Sequence, residues 1–394
     1  MKKILALAIA LLIAFAACAP ADDPPAATPE PPPPAVEAAD PEPEAPAPEP
    51  GEAEDEPAAE QPAEWDGIPL ALVTDYGTID DGSFNQGSWE GVVQYALPRG
   101  IPHQYIQPAA VSDAAYLDAI ELAIIGGAQL IVTPGFLFQA SVYEAQSLFP
   151  DVKFVLIDSQ PVGPDGPYVA SNTVAVLYAE HESGFLAGYA AVMEGHRNLG
   201  FIGGIAVPAV VLFGTGFVEG AEYAAGVLGL SPGEVTVRYA YAGTFSPSPE
   251  VQTMAASWYA DGIEVIFAAA GGAGFSVMAA AEAAGAYVIG VDIDQSGASP
   301  TVITSALKGL SASVYSVIED FFAGNFPGGQ AKLFDASLDG VSLPMETSRF
   351  QNFTQAQYDE IFGRLARGEI TLSTTIGPEA HLQLNLSLVI VDSV

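Results

Sequence analysis

From Ile68 onward, short apolar runs alternate with helical stretches, and the apolar runs end alike. "PLALVTD", "QLIVTPG", "VKFVLID", "NLGFIGG", "EVTVRYAYAG", "IEVIFAAAGG" and "AYVIGVDID" read as short buried strands, rich in β-branched and aliphatic residues. Between them lie stretches with helical spacing. "GSWEGVVQYALP" stops at Pro98, and "AAYLDAIELAIIGGA" stops at Gly126 and Gly127. "SGFLAGYAAVME" and "GFSVMAAAEAAG" follow the same pattern. Strand, helix, strand at this spacing predicts an α/β fold with parallel sheets. The strand ends are "TDYG", "TPGF", "LIDS", "FIGG", "AAAGG" and "GVDID". Open α/β sheets bind ligands beyond the carboxyl ends of their strands. Two such series predict two similar lobes facing a cleft. The expected boundaries are 66–172 with about 301–335 for the N-terminal lobe, and 173–300 with about 336–394 for the C-terminal lobe.

The chain ahead of these lobes reads differently. Lys2 and Lys3 precede "ILALAIALLIAFAA", an apolar run short for a membrane span and suited to a signal peptide. Phe15-Ala16-Ala17-Cys18 resembles a bacterial lipobox, and Cys18 is the single cysteine of the chain. Residues 1–17 are therefore expected to be a lipoprotein signal peptide. Cys18 is expected to carry the lipid, with the protein on the extracytoplasmic face of the cell membrane. Residues 18–65 are mostly Pro, Ala and Glu, with too little apolar surface to offset the entropy of ordering. They read as a disordered acidic linker. The formal net charge of −37, with 11 Lys and Arg in 394 residues, repels phosphate backbones and argues against nucleic-acid binding.

The chemistry-bearing residues give mixed signals. Asp75, Asp80 and Asp81 crowd one turn and have the right donors for a hard cation. "DYGTIDD" is faintly similar to the calcium motif of nucleoside hydrolases. That motif opens with two aspartates one residue apart, and Val73 stands where the first should be. No metal site is expected, and Asp80 is expected to cap a helix or shape the turn. His103, His181, His196 and His381 lack zinc-ligand spacing and read as surface or capping groups. There is no G-x-S-x-G elbow and no Walker loop. Phe84 in its turn is either core or a platform, and its type alone favours core. Beside Asn85 at a strand mouth, the platform gains weight. An amide offers a donor and an acceptor in one plane, which suits a base edge, and a phenyl face suits stacking. Gly271 and Gly272 after a strand either start a helix tightly or let backbone approach a ligand. Lys308 near a strand-to-helix turn is either a solvated group or a donor to a ligand oxygen.

"LVTDYGTIDDGSFNQGSWEG" closely resembles the opening block of the basic membrane protein family, nucleoside-binding lipoproteins of ABC transporters. "FVLID", "HESGFLAGYAA", "LGFIGGIAVPAVVLFGTGFVEG", "YAGTF", "IFAAAGGAGFSVMAAAEAAG", "IGVDIDQ" and "ITSALKGLSASVY" resemble further blocks in the same order. The resemblance implies a periplasmic-binding-protein type I fold with two Rossmann-like lobes, a hinge and a central cleft. It implies that Phe84 and Phe213 stack on a purine, and that Asn85 and Asp158 hydrogen-bond its edge. Asp292 and Lys308 are implied at the ribose, with Gly271 or Gly272 as a backbone contact. The implied ligand is adenosine, guanosine or inosine. The implied partners are an ABC permease and the membrane that holds the anchor. The expected protein is a monomer without cofactor or catalysis. A sugar-binding or sensory protein of the same fold, and a nucleoside hydrolase, are the competing readings.

Overall fold

The structure, a computed structural model, describes residues 69–394. The signal peptide over 1–17, Cys18 and the linker over 18–65 lie outside the described residues. The first lobe opens with β1 (Leu70–Val73), α1 (Phe84–Ala96), β2 (His103–Ile106), α2 (Asp113–Ile125), β3 (Leu130–Pro134) and α3 (Gln139–Leu148). It continues with β4 (Lys153–Ile157), a hairpin of β5 (Val162–Gly163) and β6 (Gly166–Pro167), and β7 (Thr173–Tyr178). The second lobe runs through α4 (Glu180–Glu194), β8 (Asn198–Gly203), α5 (Pro208–Leu228), β9 (Val235–Tyr241), α6 (Pro249–Ala260) and β10 (Val265–Ala269). After these come α7 (Gly274–Ala284), β11 (Tyr287–Asp292) and β12 (Val302–Lys308). The chain returns to the first lobe as α8 (Leu310–Phe322) and β13 (Gln330–Phe334). It ends in the second as β14 (Val341–Ser342), α9 (Gln355–Ala366) and β15 (Val389–Ser393).

The first sheet has the order β13-β7-β4-β3-β1-β2 and is parallel throughout. The second has the order β14-β12-β11-β10-β8-β9-β15, parallel except where β14 meets β12. Strand periodicity sorts the cores. On β1, Leu70 and Leu72 pack on the side of α1 and α8, while Ala71 and Val73 pack on the side of α2 and α3. Burial on both faces explains why these runs are continuously apolar and not alternating.

The lobes change over later than the sequence reading places them. β7 falls in the stretch assigned to the second lobe, yet it pairs with β4 and β13 in the first sheet. β12 falls in the stretch assigned to the first lobe, yet it pairs with β11 in the second. Each sheet uses its strand to the carboxyl end before the chain leaves it. The crossings then lie side by side. Ala179 N–H donates to Phe334 O at 3.1 Å, and Gly309 N–H donates to Gly340 O at 2.9 Å.

One helix contact bears on the cleft. A Cβ on Gly184 of α4 would lie 2.1 Å from the carbonyl oxygen of Phe213, and one on Gly216 of α5 would lie 2.0 Å from that of His181. Only glycine permits backbones this close. The position of Phe213 is therefore set by α4, the helix that leaves the hinge. His381, read as a surface group, is instead buried and stacked on Tyr239 at 3.9 Å. It docks the C-terminal segment through Ser393 Oγ at 3.0 Å.

Candidate ligand-binding cleft

Phe84, Asn85, Asp158, Phe213, Gly271, Gly272, Asp292 and Lys308 come together around one cleft between the lobes, of about 780 Å³ including its open mouth. They arrive from the ends of β4, β10, β11 and β12 and from the helices α1 and α5. Asp158 and Asp292 follow or end their strands with φ of 60° and 68°. Aspartate tolerates this left-handed backbone better than most residues, and the turn it makes aims the carboxylate off the strand. Gly271 has φ of 55° in the turn after β10, where a side chain would be strained.

The turn before α1 is organised by Asp81, not by Asp80. The Asp81 carboxylate accepts from the backbone N–H groups of Ser83 at 2.9 Å, Asn85 at 3.0 Å and Gln86 at 3.1 Å. Asp80 is exposed and accepts from Thr78 Oγ1. Asp80, expected to cap the helix or shape the turn, accepts no helix-start N–H; Asp81, two residues before the N-cap Ser83, satisfies them instead. Asn85 is buried, and its Nδ2 donates to Asp75 at 2.9 Å and to Asp81 at 3.0 Å. Both amide hydrogens are thereby committed. What the amide can offer a ligand is Oδ1, which accepts a long 3.4 Å bond from the Asp75 N–H. Burial raises the Asp75 carboxyl above the ordinary range, against the hydrogen bond from Asn85.

Lys308 ends β12 and is buried, which settles the open reading of a solvated lysine. Its Nζ donates to Asp158 across the cleft and lies 3.4 Å from Glu180 and 3.8 Å from Asp292. None of these four side chains exceeds 8% exposure. Burial disfavours the ammonium, but the three carboxylates outweigh it and hold Lys308 well above its ordinary range. Burial pushes the Asp292 carboxyl up to about 6, with Lys308 and Ser83 pulling it back. Ser83 Oγ, from the first lobe, donates to Asp292 of the second at 2.5 Å. Among the described residues, Asp158 Oδ1 is buried without a hydrogen-bond partner, on a residue that lines the cleft.

The same ammonium locates the rings. Nζ lies 5.0 Å from the Phe84 centroid and 5.1 Å from the Phe213 centroid, so the two rings stand no farther apart than the sum. Phe84 and Phe213, one from each lobe, thus border the same part of the cleft. Phe217, one turn along α5, packs against Phe267 at 5.3 Å and does not line the cleft. Tyr76 and Phe245 meet edge to face across the mouth at 6.2 Å. Sequence reasoning singled out neither of these rings, and it missed Glu180. Phe245 ends "YAGTF" and Tyr76 follows Asp75 at strand mouths, so position at a carboxyl end was the available signal. Glu180 had no such signal.

Two parallel-sheet lobes, three crossings and a cleft at the strand ends define the periplasmic-binding-protein type I class. Solved structures share it. A solute-binding protein of an ABC transporter system from Aeropyrum pernix superposes with a TM-score of 0.69 and 22% identity, over 80% of this chain and 96% of that one. One from Conexibacter woesei gives 0.64 and 23%, over 78% of this chain and all of that one. Residues 68–367 match the family described as ABC transporter substrate-binding protein PnrA-like, and the chain belongs to that family. The "ABC transporter nucleoside-binding protein BmpA" of Lactococcus lactis is 31% identical over 324 residues, covering 76% of this chain and 88% of the relative. "Basic membrane protein A2" of Borrelia garinii is 32% identical over 273 residues, covering 67% and 76%. The chain is thus an ABC transporter substrate-binding protein, and the resemblance to the basic membrane protein family holds.

Proposed function

We propose that this protein captures a purine nucleoside between its lobes and delivers it to the permease of an ABC importer. It does so as a monomer, held on the extracytoplasmic face of the membrane by a lipid on Cys18. The observation that carries the ligand class is the clamp itself. Phe84 of one lobe and Phe213 of the other flank a floor of carboxylates around the buried Lys308 ammonium. A flat apolar ring suits the two faces, and N–H and O–H donors suit Asp158 Oδ1 and Asp292. The Lactococcus lactis relative, named for nucleoside binding, supports the same ligand class. The basic residues ahead of an apolar run that ends at Cys18 support the anchor.

Two ring faces at about 1–3 kcal/mol each, with charge-assisted hydrogen bonds of about 1.5–3 kcal/mol, are enough for submicromolar affinity. The roles divide by position. Phe84 and Phe213 stack, while Asp158 and the Oδ1 of Asn85 read the base. Asp292 and Lys308 meet the ribose, and Gly271 or Gly272 gives a backbone contact. These steps are binding alone, and no catalytic part is assigned to any residue.

Isothermal titration of the purified protein with adenosine, guanosine, inosine and a monosaccharide panel tests the reading. Submicromolar binding of a purine nucleoside is expected. Heat from ribose with none from any nucleoside would replace it with a sugar-binding function, and release of free base from inosine would make the protein a hydrolase. Phe84→Ala is expected to weaken nucleoside binding more than tenfold with the fold intact by circular dichroism. Unchanged affinity would make Phe84 a core residue.

A further inference from the structure

The loop between β11 and β12 reaches across to the first lobe, and a second segment holds it from behind. Gln295 in this loop is buried, and its Nε2 donates to Gly82 O of the first lobe at 2.7 Å. Within its own lobe Gln295 is held at two points. Its Oε1 accepts from the Val291 N–H at 3.1 Å, and its backbone N–H donates to Ser305 Oγ at 3.0 Å. These bonds fix Gln295 itself. The residues on either side of it, Asp294 and Ser296, are held by another part of the chain.

That part is the stretch 343–349, which follows β14. It starts beside the third crossing, because β14 pairs with the end of β12 that carries Lys308. It reaches the opposite end of the same strand. There the Arg349 N–H donates to Ile303 O at 2.7 Å and Nη1 donates to Val302 O at 2.5 Å. Between these points Thr304 Oγ1 and Ser348 Oγ lie 2.8 Å apart in a hydrogen bond. The stretch is therefore a strap tied to β12 at both ends. Two of its side chains take hold of the loop. Thr347 Oγ1 donates to Asp294 Oδ2 at 2.6 Å, and Arg349 Nη2 donates to Ser296 O at 2.9 Å. One grips the residue before Gln295 and the other the residue after it. Neither Thr347 nor Arg349 lines the cleft. A loop without regular structure loses entropy when a contact orders it, and a loop already held in the required shape loses less.

We propose that Thr347 and Arg349 are positioning residues for lobe closure, acting through Gln295. They hold the loop so that Gln295 Nε2 stands ready for Gly82 O, and so slow the escape of bound ligand without touching it. The proposal rests on the nucleoside reading above.

The test is stopped flow on the full chain, with whichever of adenosine, guanosine and inosine the wild type binds most tightly. A double variant carries Thr347→Val, which keeps the shape and removes the hydroxyl, and Arg349→Ala. It is expected to release the nucleoside about threefold faster or more, with association changed by less than about twofold. Thr347→Ser keeps the hydroxyl and is expected to release like the wild type. The same two substitutions are then placed in Gln295→Ala. They are expected to add little there, because the contact through which they act is gone. A strap that merely supports the fold would speed release equally with and without Gln295. Should the double variant fail to fold, Thr347→Val alone, at an exposed position, repeats both measurements. Unchanged release, or an equal effect in the two backgrounds, overturns this proposal and leaves the nucleoside reading standing. If the wild type binds none of the three nucleosides, both fall.

Discussion

Asp158 and Asp292 are each held in left-handed backbone at a strand end, a conformation that costs a non-glycine residue about 1–2 kcal/mol. Both are also buried among like charges. For Asp292 the second cost has a sign that can be checked. Burial lifts its carboxyl from 3.8 to about 6, so the folded chain binds that proton more tightly than the unfolded chain does. The ionised group therefore works against folding at neutral pH. The penalty is relieved as pH falls through about 6, and it is absent below the unfolded value. Asn keeps the left-handed turn and carries no charge. Asp292→Asn is expected to stabilise the protein at pH 7.5 by about 1–3 kcal/mol. It should give no gain at pH 3.5 and cost more than tenfold in nucleoside affinity. Thermal melts at both pH values, with one titration, check this; equal shifts at the two pH values would show that the charge is not the cause. Residues of this kind are legible in sequence because an aspartate after an apolar run is a local signal. Glu180 was not, because its meaning depends on Lys308 far along the chain. Lys308 itself meets Asp158 across 150 residues.

At the level of elements, α1 presents both Phe84 and Asn85, and its start depends on one side chain. Asp81→Ala removes the acceptor of three backbone N–H groups and one of the two partners of the Asn85 amide. A loss of about 2 kcal/mol is expected in urea denaturation, with weakened nucleoside binding. Asp81→Asn should restore most of the stability, since its oxygen still accepts. If the Ala variant melts like the wild type, α1 is held by its packing alone. The strands and helices that carry the cleft were visible as apolar runs and helical spacing. The elements that went unread are of another kind. β13 ("QAKLF") is half exposed at a sheet edge and shows no continuous apolar run, while β15 ("VIVDS") is apolar only in its first three residues and mostly exposed at the edge of the second sheet. β7 ("TVAVLY") has such a run, but its sheet is a matter of pairing, which periodicity does not encode.

Across the whole molecule, the lobes are joined by more than the hinge. Gln295, in the loop after β11, donates from Nε2 to Gly82 O of the other lobe at 2.7 Å, while its Oε1 accepts from Val291 N–H at 3.1 Å. Ser83 and Asp292 make a second bridge beside it. Closure of this kind excludes water and strengthens the bonds within. Gln295→Ala is expected to speed nucleoside release three- to tenfold, read by stopped flow, with a smaller effect on the association rate. An unchanged release rate would place the closing contacts elsewhere.

The interleaved route of the chain also governs how the protein is made. β13 pairs with β7, yet it is synthesised only after the whole run from α4 to α8. Until then β7 presents an open edge, the kind that invites pairing with a neighbouring chain. The first lobe therefore has no complete form of its own during synthesis. A chain cut anywhere before Phe334 carries an unfinished sheet whatever else it contains. The two halves of the clamp are obligatory companions in biogenesis before they are partners in binding.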